Sequence, residues 1–139
     1  MKISIKTHIE APKLAVWELF NNTEAVQQWN HASPDWHCPQ ASNDLKVDGD
    51  FCYTMAAKDG SFAFDLKGIY THIDAPNSLS YRLADGRDVE VLLEDVNGAT
   101  LLTETFDPED NNPVDMQQAG WQAILNNFKI FVERQVRRP

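Results

Sequence analysis

The spacing of hydrophobic and polar residues changes along the chain, and each change predicts a different kind of element. Near the N-terminus, Ile3, Ile5 and Ile9 alternate with lysine and serine, a period of two that is typical of a half-buried strand. Two short helices are predicted next, one opened by Pro12 and one capped by Thr23, with consecutive asparagines between them. We expect these helices to form a wedge between the first strand and the rest of the sheet.

Residues 30–43 show no regular period. They include two prolines, two histidines, Trp36 and Cys38, and loops of this length are often functional. We therefore expect an irregular loop that forms the mouth of a cavity and places Trp29 or Trp36 beside a bound ligand.

The period of two returns over residues 51–106 and predicts a series of antiparallel strands. Tight turns are predicted where the alternation stops, at residues 58–61, 74–77, 85–86 and 97–98. Strands joined in this way form a meander with one apolar face and one polar face. Gly68 interrupts the second of these strands, and we expect a bend or bulge there.

One long helix is predicted over residues 112–137, with Asn112 as the N-cap and Pro113 at the first helical position. At roughly 3.6 residues per turn, one face of this helix is apolar and holds Met116, Gly120, Trp121, Ile124, Leu125, Phe128, Phe131 and Val132. The opposite face, which includes Lys129 and Glu133, is expected to face water. Gly120 in the apolar face predicts either close backbone packing, with Gln117 at the rim, or a helix whose N-terminal half lines a cavity.

This order of elements predicts an α+β fold. A curved antiparallel sheet of about six to seven strands should grip the long C-terminal helix, with the two short helices inserted after strand one. A chain of 139 residues has the length of one domain. Since no repeat or linker divides it, residues 1–139 are predicted to form a single domain.

The charge of the chain argues against several classes of partner. A net charge of −9 and a pI near 4.7 disfavour nucleic acid and anionic membranes, and no apolar run has the length of a membrane span. The N-terminal residues lack the apolar segment of a signal peptide. We therefore expect a cytoplasmic protein without membrane insertion, in which Cys38 and Cys52 stay reduced.

Short motifs along almost the whole chain resemble one known family. They are Ala11-Pro12 with Val16-Trp17, Trp29, Phe51-x-Tyr53-x-Met55 with Asp59-Gly60, Gly68-x-Tyr70 with Ile73 and Pro76, Gly98-x-Thr100, and Gly120-Trp121. In this order they resemble the activator-of-Hsp90-ATPase homologues, within the helix-grip fold of the START and birch-pollen-allergen-like superfamily. One departure is Asp48-Gly49-Asp50, where many members carry Gly-Gly; it affects a turn.

The resemblance implies a cavity between sheet and long helix that binds small apolar or aromatic molecules, such as lipids, polyketides or flavonoid-like compounds. It also implies two alternatives, since a few relatives are cyclases or self-resistance proteins and the eukaryotic namesakes act on a chaperone. No catalytic set is common to the family, so none is carried over, and the fold alone does not determine function.

The faces expected to meet at this cavity supply the candidate ligand-binding residues. Glu104 differs from the others, because the alternation of its strand would bury a carboxylate among aromatic residues. It would keep its proton through a raised pKa or accept hydrogen bonds from a tyrosine, unless the register shifts and it faces water. The candidates are Trp29, Trp36, Phe51, Tyr53, Met55, Phe64, Leu66, Tyr81, Leu102, Glu104, Phe106, Met116, Gln117, Gly120, Trp121 and Ile124.

Other chemistry is not indicated by the sequence. His31, His37 and Cys38 match no zinc spacing and lack a fourth ligand, and the acidic residues 107–110 lack the spacing of a calcium loop. No nucleophile or phosphate-loop motif is present. We therefore predict no metal, no cofactor and no catalytic set.

Three functions remain as hypotheses. The favoured one is a non-catalytic protein that binds a small hydrophobic or aromatic ligand. The alternatives are a cyclase- or lyase-like enzyme that uses Glu104 and a tyrosine as an acid–base pair, and an interaction module that contacts a chaperone such as Hsp90. The sequence leaves open whether the protein is a monomer or a homodimer.

Overall fold

A computed structural model describes residues 2–137, and Met1, Arg138 and Pro139 lie outside this range. Seven antiparallel strands form one curled sheet, and a long helix follows the last strand, so the predicted α+β fold is confirmed. The elements are β1 (Ile3–Ile9), α1 (Lys13–Asn21), α2 (Thr23–Trp29), β2 (Trp36–Asn43), β3 (Asp50–Ala57), β4 (Ala63–Asp74), β5 (Ser78–Leu83), β6 (Asp88–Val96), β7 (Ala99–Phe106) and α3 (Val114–Arg137).

The strands lie in the order β1-β7-β6-β5-β4-β3-β2, so β1 and β2 are the two edges of the sheet. From β2 onward each strand pairs with the next in the chain, which is the predicted meander. The first strand returns to pair with the last, and α1 and α2 occupy the connection between β1 and β2. None of the helices within residues 2–137 is both long and apolar enough to cross a membrane.

The apolar core lies between the sheet and the C-terminal half of α3. Leu125, Phe128 and Val132 are at most 1% exposed, and the ring of Phe128 packs against Trp29 at a centroid distance of 4.7 Å. Met116, in the first turns of the same helix, is 61% exposed. The apolar face is therefore buried along only part of its length.

Three polar side chains of α3 bind the free edge of β1. Nε2 of Gln122 donates to the carbonyl of Lys6 at 3.1 Å. The Lys129 ammonium donates to the carbonyl of His8 at 2.5 Å, and the backbone N–H of Glu10 donates to Oε2 of Glu133 at 2.9 Å. Glu133 is only 9% exposed, so its predicted position on the water-facing side is wrong. An edge strand leaves backbone groups without ladder partners, and α3 supplies partners here.

The predicted irregular loop over residues 30–43 is wrong for most of its length. Trp36–Asn43 forms β2, which pairs with β3 at the edge of the sheet. Its register shifts between His37 and Gln40, beside Pro39. An edge strand accepts a proline because one side of its backbone needs no ladder partner, and the bulge and the proline together hide the period of two.

Both predicted helix caps lie one residue from the observed ones. The side chain of Asn22, and not that of Thr23, caps α2 by accepting from the N–H of Ala25 at 2.9 Å. At α3, the carbonyl of Pro113 accepts the first helical hydrogen bonds, and Asn112 precedes this position. Differences of this size are ordinary at helix ends.

Gly68 provides room for an aromatic ring, and the expected bulge lies further along the strand. Gly68 pairs regularly with Phe51 on β3, whereas the register of β4 against β5 shifts between Tyr70 and His72. A Cβ at position 68 would lie 2.5 Å from Cε2 of Phe51. The missing side chain therefore lets the Phe51 ring lie across the β4 backbone.

Alanine at two glycines should change stability in opposite directions. Gly68→Ala should cost about 1–3 kcal/mol, because the Phe51 ring must move. Nothing lies within 4 Å of a Cβ at Gly120, so Gly120→Ala should stabilise the helix by up to about 1 kcal/mol. Urea unfolding of both variants measures the two effects. A Gly68→Ala variant as stable as the parent protein would contradict the packing role given to Gly68.

Candidate functional site

Two adjoining chambers lie between the sheet and the N-terminal half of α3. The inner chamber has a volume of about 90 Å³, and the outer chamber about 350 Å³. Asn30, Leu66, Trp121 and Ile124 line both. The two chambers therefore adjoin along these four residues.

The walls of the two chambers differ in character. Aromatic residues dominate the inner walls, and charged or amide side chains appear mainly in the outer walls. The inner chamber is lined by Phe20, Asn21, Trp29, Asn30, Phe51, Tyr53, Leu66, Tyr70, Leu79, Tyr81, Glu104, Trp121 and Ile124. The outer chamber is lined by Asn30, Ala32, Met55, Phe64, Leu66, Arg87, Glu109, Asn112, Met116, Gln117, Gly120, Trp121 and Ile124.

Most of the predicted ligand-binding residues lie in these walls. Eight line the inner chamber: Trp29, Phe51, Tyr53, Leu66, Tyr81, Glu104, Trp121 and Ile124. Five more line only the outer chamber: Met55, Phe64, Met116, Gln117 and Gly120. Residues from β3, β4, β5, β7, α2 and α3 thus come together, although they are far apart in the sequence.

Three predicted residues do not line either chamber. Leu102 and Phe106 are 0% exposed, and Phe106 stacks under Trp121 at 3.9 Å, so both belong to the packed core. Trp36 lies on β2, where its ring packs against Phe64 at 6.2 Å. Its strand runs along the edge of the sheet, and this position keeps it away from the chambers.

The sequence interpretation missed several lining residues. Tyr70 and Leu79 carry a usable signal, because strand alternation places them on the same faces as Leu66 and Tyr81. Phe20 and Asn30 carry no such signal. They reach the chamber only because α1 and α2 pack against the end of the sheet.

Glu104 lies deep in the inner chamber, and its carboxyl has no hydrogen-bond or ion-pair partner among residues 2–137. It pairs through its backbone between Ile5 of β1 and Val91 of β6, and it is 8% exposed. Burial raises the pKa of its carboxyl to about 7, and no hydrogen bond or charged neighbour within residues 2–137 offsets that shift. Both protonation states are therefore populated near neutral pH.

Three tyrosines share the chamber with this carboxyl. Burial, and then the charge of Glu104, raise the pKa of Tyr81 well above its usual value. Burial also raises the pKa values of Tyr53 and Tyr70, and the Tyr53 hydroxyl accepts from Nδ2 of Asn43 at 3.1 Å. All three phenols therefore keep their protons at neutral pH and can donate or accept hydrogen bonds.

At the outer chamber, Gln117 holds the loop that precedes α3. Its Oε1 accepts from the N–H of Glu109 at 2.8 Å, and its Nε2 donates to the carbonyls of Glu109 and Asn112 at 3.0 and 2.7 Å. Gln117 is 7% exposed. Its amide is thus already used by the backbone of the loop, which it fixes as one wall of the outer chamber.

No group of three or more His, Cys, Asp or Glu side chains within residues 2–137 is placed to hold a metal ion. The chemistry that the site offers is apolar and aromatic contact, together with a carboxyl group that can exchange a proton near neutral pH.

Comparison with solved structures finds close relatives of the whole chain. The AHSA1-like protein from Aeromonas hydrophila is 47% identical, with a TM-score of 0.93 over 99% of this chain and 96% of that chain. A protein from Cytophaga hutchinsonii is 41% identical, with a TM-score of 0.83 over 99% and 96%. A protein from Chromobacterium violaceum, at 19% identity, shares the fold, with a TM-score of 0.86 over 96% and 98%.

Curated proteins provide no significant match to the chain. The family model described as "Activator of Hsp90 ATPase homolog 1-like protein" matches residues 10–133, a span that runs from the end of β1 to the last turns of α3. With the two relatives above 40% identity, this match shows that the chain belongs to the family of Activator of Hsp90 ATPase homolog 1-like proteins.

Proposed function

We propose that the protein binds a small, largely apolar or aromatic molecule in the two chambers and releases it unchanged. The observation that carries this proposal is a chamber with aromatic walls that holds Glu104, a buried carboxyl without a partner among the described residues 2–137. Small-molecule sites typically combine apolar walls with a few placed polar groups.

The sizes of the chambers support a ligand with a narrow end and a larger body. The outer volume of about 350 Å³ lies at the lower end of the range of roughly 300–1,000 Å³ that is usual for ligand pockets. The inner volume of about 90 Å³ exceeds the roughly 10–15 Å³ that one water requires. A small polar group therefore fits beside Glu104 while an apolar body occupies the outer chamber.

One observation favours a second function. General acid–base catalysis works best when the pKa of the catalytic group lies near the working pH. Burial raises the pKa of the Glu104 carboxyl to about 7. A cyclase- or lyase-like reaction would use Glu104 as the base and the neighbouring Tyr81 as the acid. The predicted chaperone contact and the choice between monomer and homodimer stay predictions.

Gly120→Leu should weaken ligand binding without unfolding the protein. Gly120 lines the outer chamber with open space beside it, so a leucine would occupy volume that the ligand needs and would also favour the helix. We expect the affinity for a neutral aromatic probe, naphthol, to fall at least about tenfold in calorimetric titrations.

The matched control for this variant is Ala119→Leu. Ala119 is exposed on the same turn of α3 and lines neither chamber, so it should leave naphthol binding unchanged. Equal affinities for the two leucine variants would contradict a ligand position in the outer chamber. Urea unfolding of both variants tests that each remains folded.

Glu104→Gln should become more stable than the parent protein as the pH rises. Folding raises the pKa of Glu104 from 4.5 to about 7, so the folded state binds more protons and the free energy of unfolding falls as pH climbs between these values. Glutamine removes this dependence. The stability difference should be small near pH 4.5 and reach at most about 3 kcal/mol above pH 7.

Unfolding of both proteins across this pH range measures the difference, with Glu90→Gln on the exposed face of β6 as the control. A difference that does not change with pH would contradict the burial of an unpaired carboxyl.

The same variant separates the two proposed functions. A binding protein should retain affinity for naphthol, whereas an enzyme of the second kind should lose turnover and keep binding.

A further inference from the structure

We infer that the inner chamber selects an organic cation, namely a protonated amine whose apolar or aromatic tail fills the outer chamber. This inference rests on the proposed binding function and adds the chemical class of the ligand. Three features of the site, as residues 2–137 form it, lead to this inference: the aromatic walls, a carboxylate without a partner, and walls in which the one basic side chain is already paired.

Aromatic side chains line the inner chamber, which also holds the Glu104 carboxyl. Seven of the thirteen residues that line the inner chamber are aromatic, and four of them pack as one cluster. The centroid of the Phe51 ring lies 5.0 Å from the ring centroid of Tyr53, 5.4 Å from that of Tyr70 and 4.9 Å from that of Tyr81. Ring faces carry negative electrostatic potential and attract cations, most strongly where water is excluded. This attraction between ring faces and positive charge does not stabilise a neutral or an anionic head group.

The carboxylate of Glu104 supplies what an ammonium group needs. An ammonium group only donates hydrogen bonds, whereas an ionised carboxylate only accepts them. The phenol oxygens of Tyr53, Tyr70 and Tyr81 provide further acceptors at the chamber wall. A buried charge is costly when unpaired, so an amine that pairs with Glu104 removes a cost that the empty site carries.

An anionic head group finds no such partner. Arg87 is the only basic residue in the walls of either chamber within residues 2–137. Its Nε already pairs with Oδ2 of Asp85 at 2.8 Å, and it lies at the outer chamber, beside which Glu109 adds a negative charge. The net charge of −9 makes the surroundings still less favourable to anions.

A neutral carbonyl head group is the remaining competitor, and pH separates it from the amine. The titratable groups that share the inner chamber with Glu104 are Tyr53 on β3, Tyr70 on β4 and Tyr81 on β5; burial raises the pKa of all three, so they stay neutral. Its neighbours on β1 and β6 are Ile5 and Val91, which carry no charge. An amine requires the ionised carboxylate, so its affinity should rise with pH. A carbonyl requires the protonated acid, so its affinity should fall.

Three probes with the same tail test the inference: phenylbutylamine, phenylbutanol and phenylbutyrate. Calorimetric titration of the intact protein at about pH 8 should show the amine binding at least about tenfold more tightly than the alcohol, with the carboxylate weakest. The affinity for the amine should be about tenfold lower at pH 6, because the carboxyl pKa near 7 leaves only about a tenth of the sites ionised there.

Glu104→Gln should lose most of the preference for the amine and keep only the part that the aromatic rings supply, whereas Glu90→Gln, which removes a charge from the outer face of β6, should keep the full preference of the parent protein. Equal affinity of the parent protein for amine and alcohol, or an amine preference as large in Glu104→Gln as in the parent protein, would overturn the inference. Tighter binding of phenylbutyrate would also overturn it. These outcomes leave the binding function intact, whereas failure of all three probes and of naphthol to bind would count against that function itself.

Discussion

The C-terminal half of α3 is held on two sides, and the rest of the site depends on this constraint. Leu125, Phe128 and Val132 bury it in the core, and Lys129 and Glu133 bind the backbone of β1. The helix packs mainly against β1, α1 and α2, at one side of the sheet. Its N-terminal half is therefore positioned over β3, β4 and β5 without filling the space between them, and the two chambers occupy that space.

A partly empty core explains how a carboxyl is accommodated on the inner face of β7. In a fully packed core, a side chain such as Glu104 would need an internal partner, since an unpaired buried charge is strongly unfavourable. Here the carboxyl borders a cavity and holds its proton up to about pH 7. Because folding raises the pKa of this carboxyl, the protein is less stable at neutral pH than it would be with an uncharged side chain at this position.

Different interactions hold the walls of the two chambers in place. The tyrosines stand on paired strands in the middle of the sheet, whose ladders fix their positions. The outer wall depends on a loop that Gln117 holds through three hydrogen bonds. The tyrosine side of the inner chamber is therefore fixed by the hydrogen bonds of the sheet, whereas one wall of the outer chamber depends on the contacts of a single side chain.

The sequence by itself determined the fold class, the identity of the carboxyl and all of the elements except β2. Alternation over β7 places Glu104 on the same face as the core residues Leu102 and Phe106, and this depends only on the period of a strand. The residues of β3 and the apolar face of α3 follow from the same kind of local periodicity.

Only the tertiary structure decided which of these inward-facing residues border space and which fill it. Strand alternation places both Phe106 and Tyr81 on the inward face of the sheet. Phe106 stacks under Trp121, whereas Tyr81 lines the inner chamber. The contributions of Phe20 and Asn30, and the edge strand at Trp36, also lie beyond local pattern. The reason is physical: burial on one face is set by spacing along the chain, whereas a cavity is set by the distance between elements that are remote in sequence.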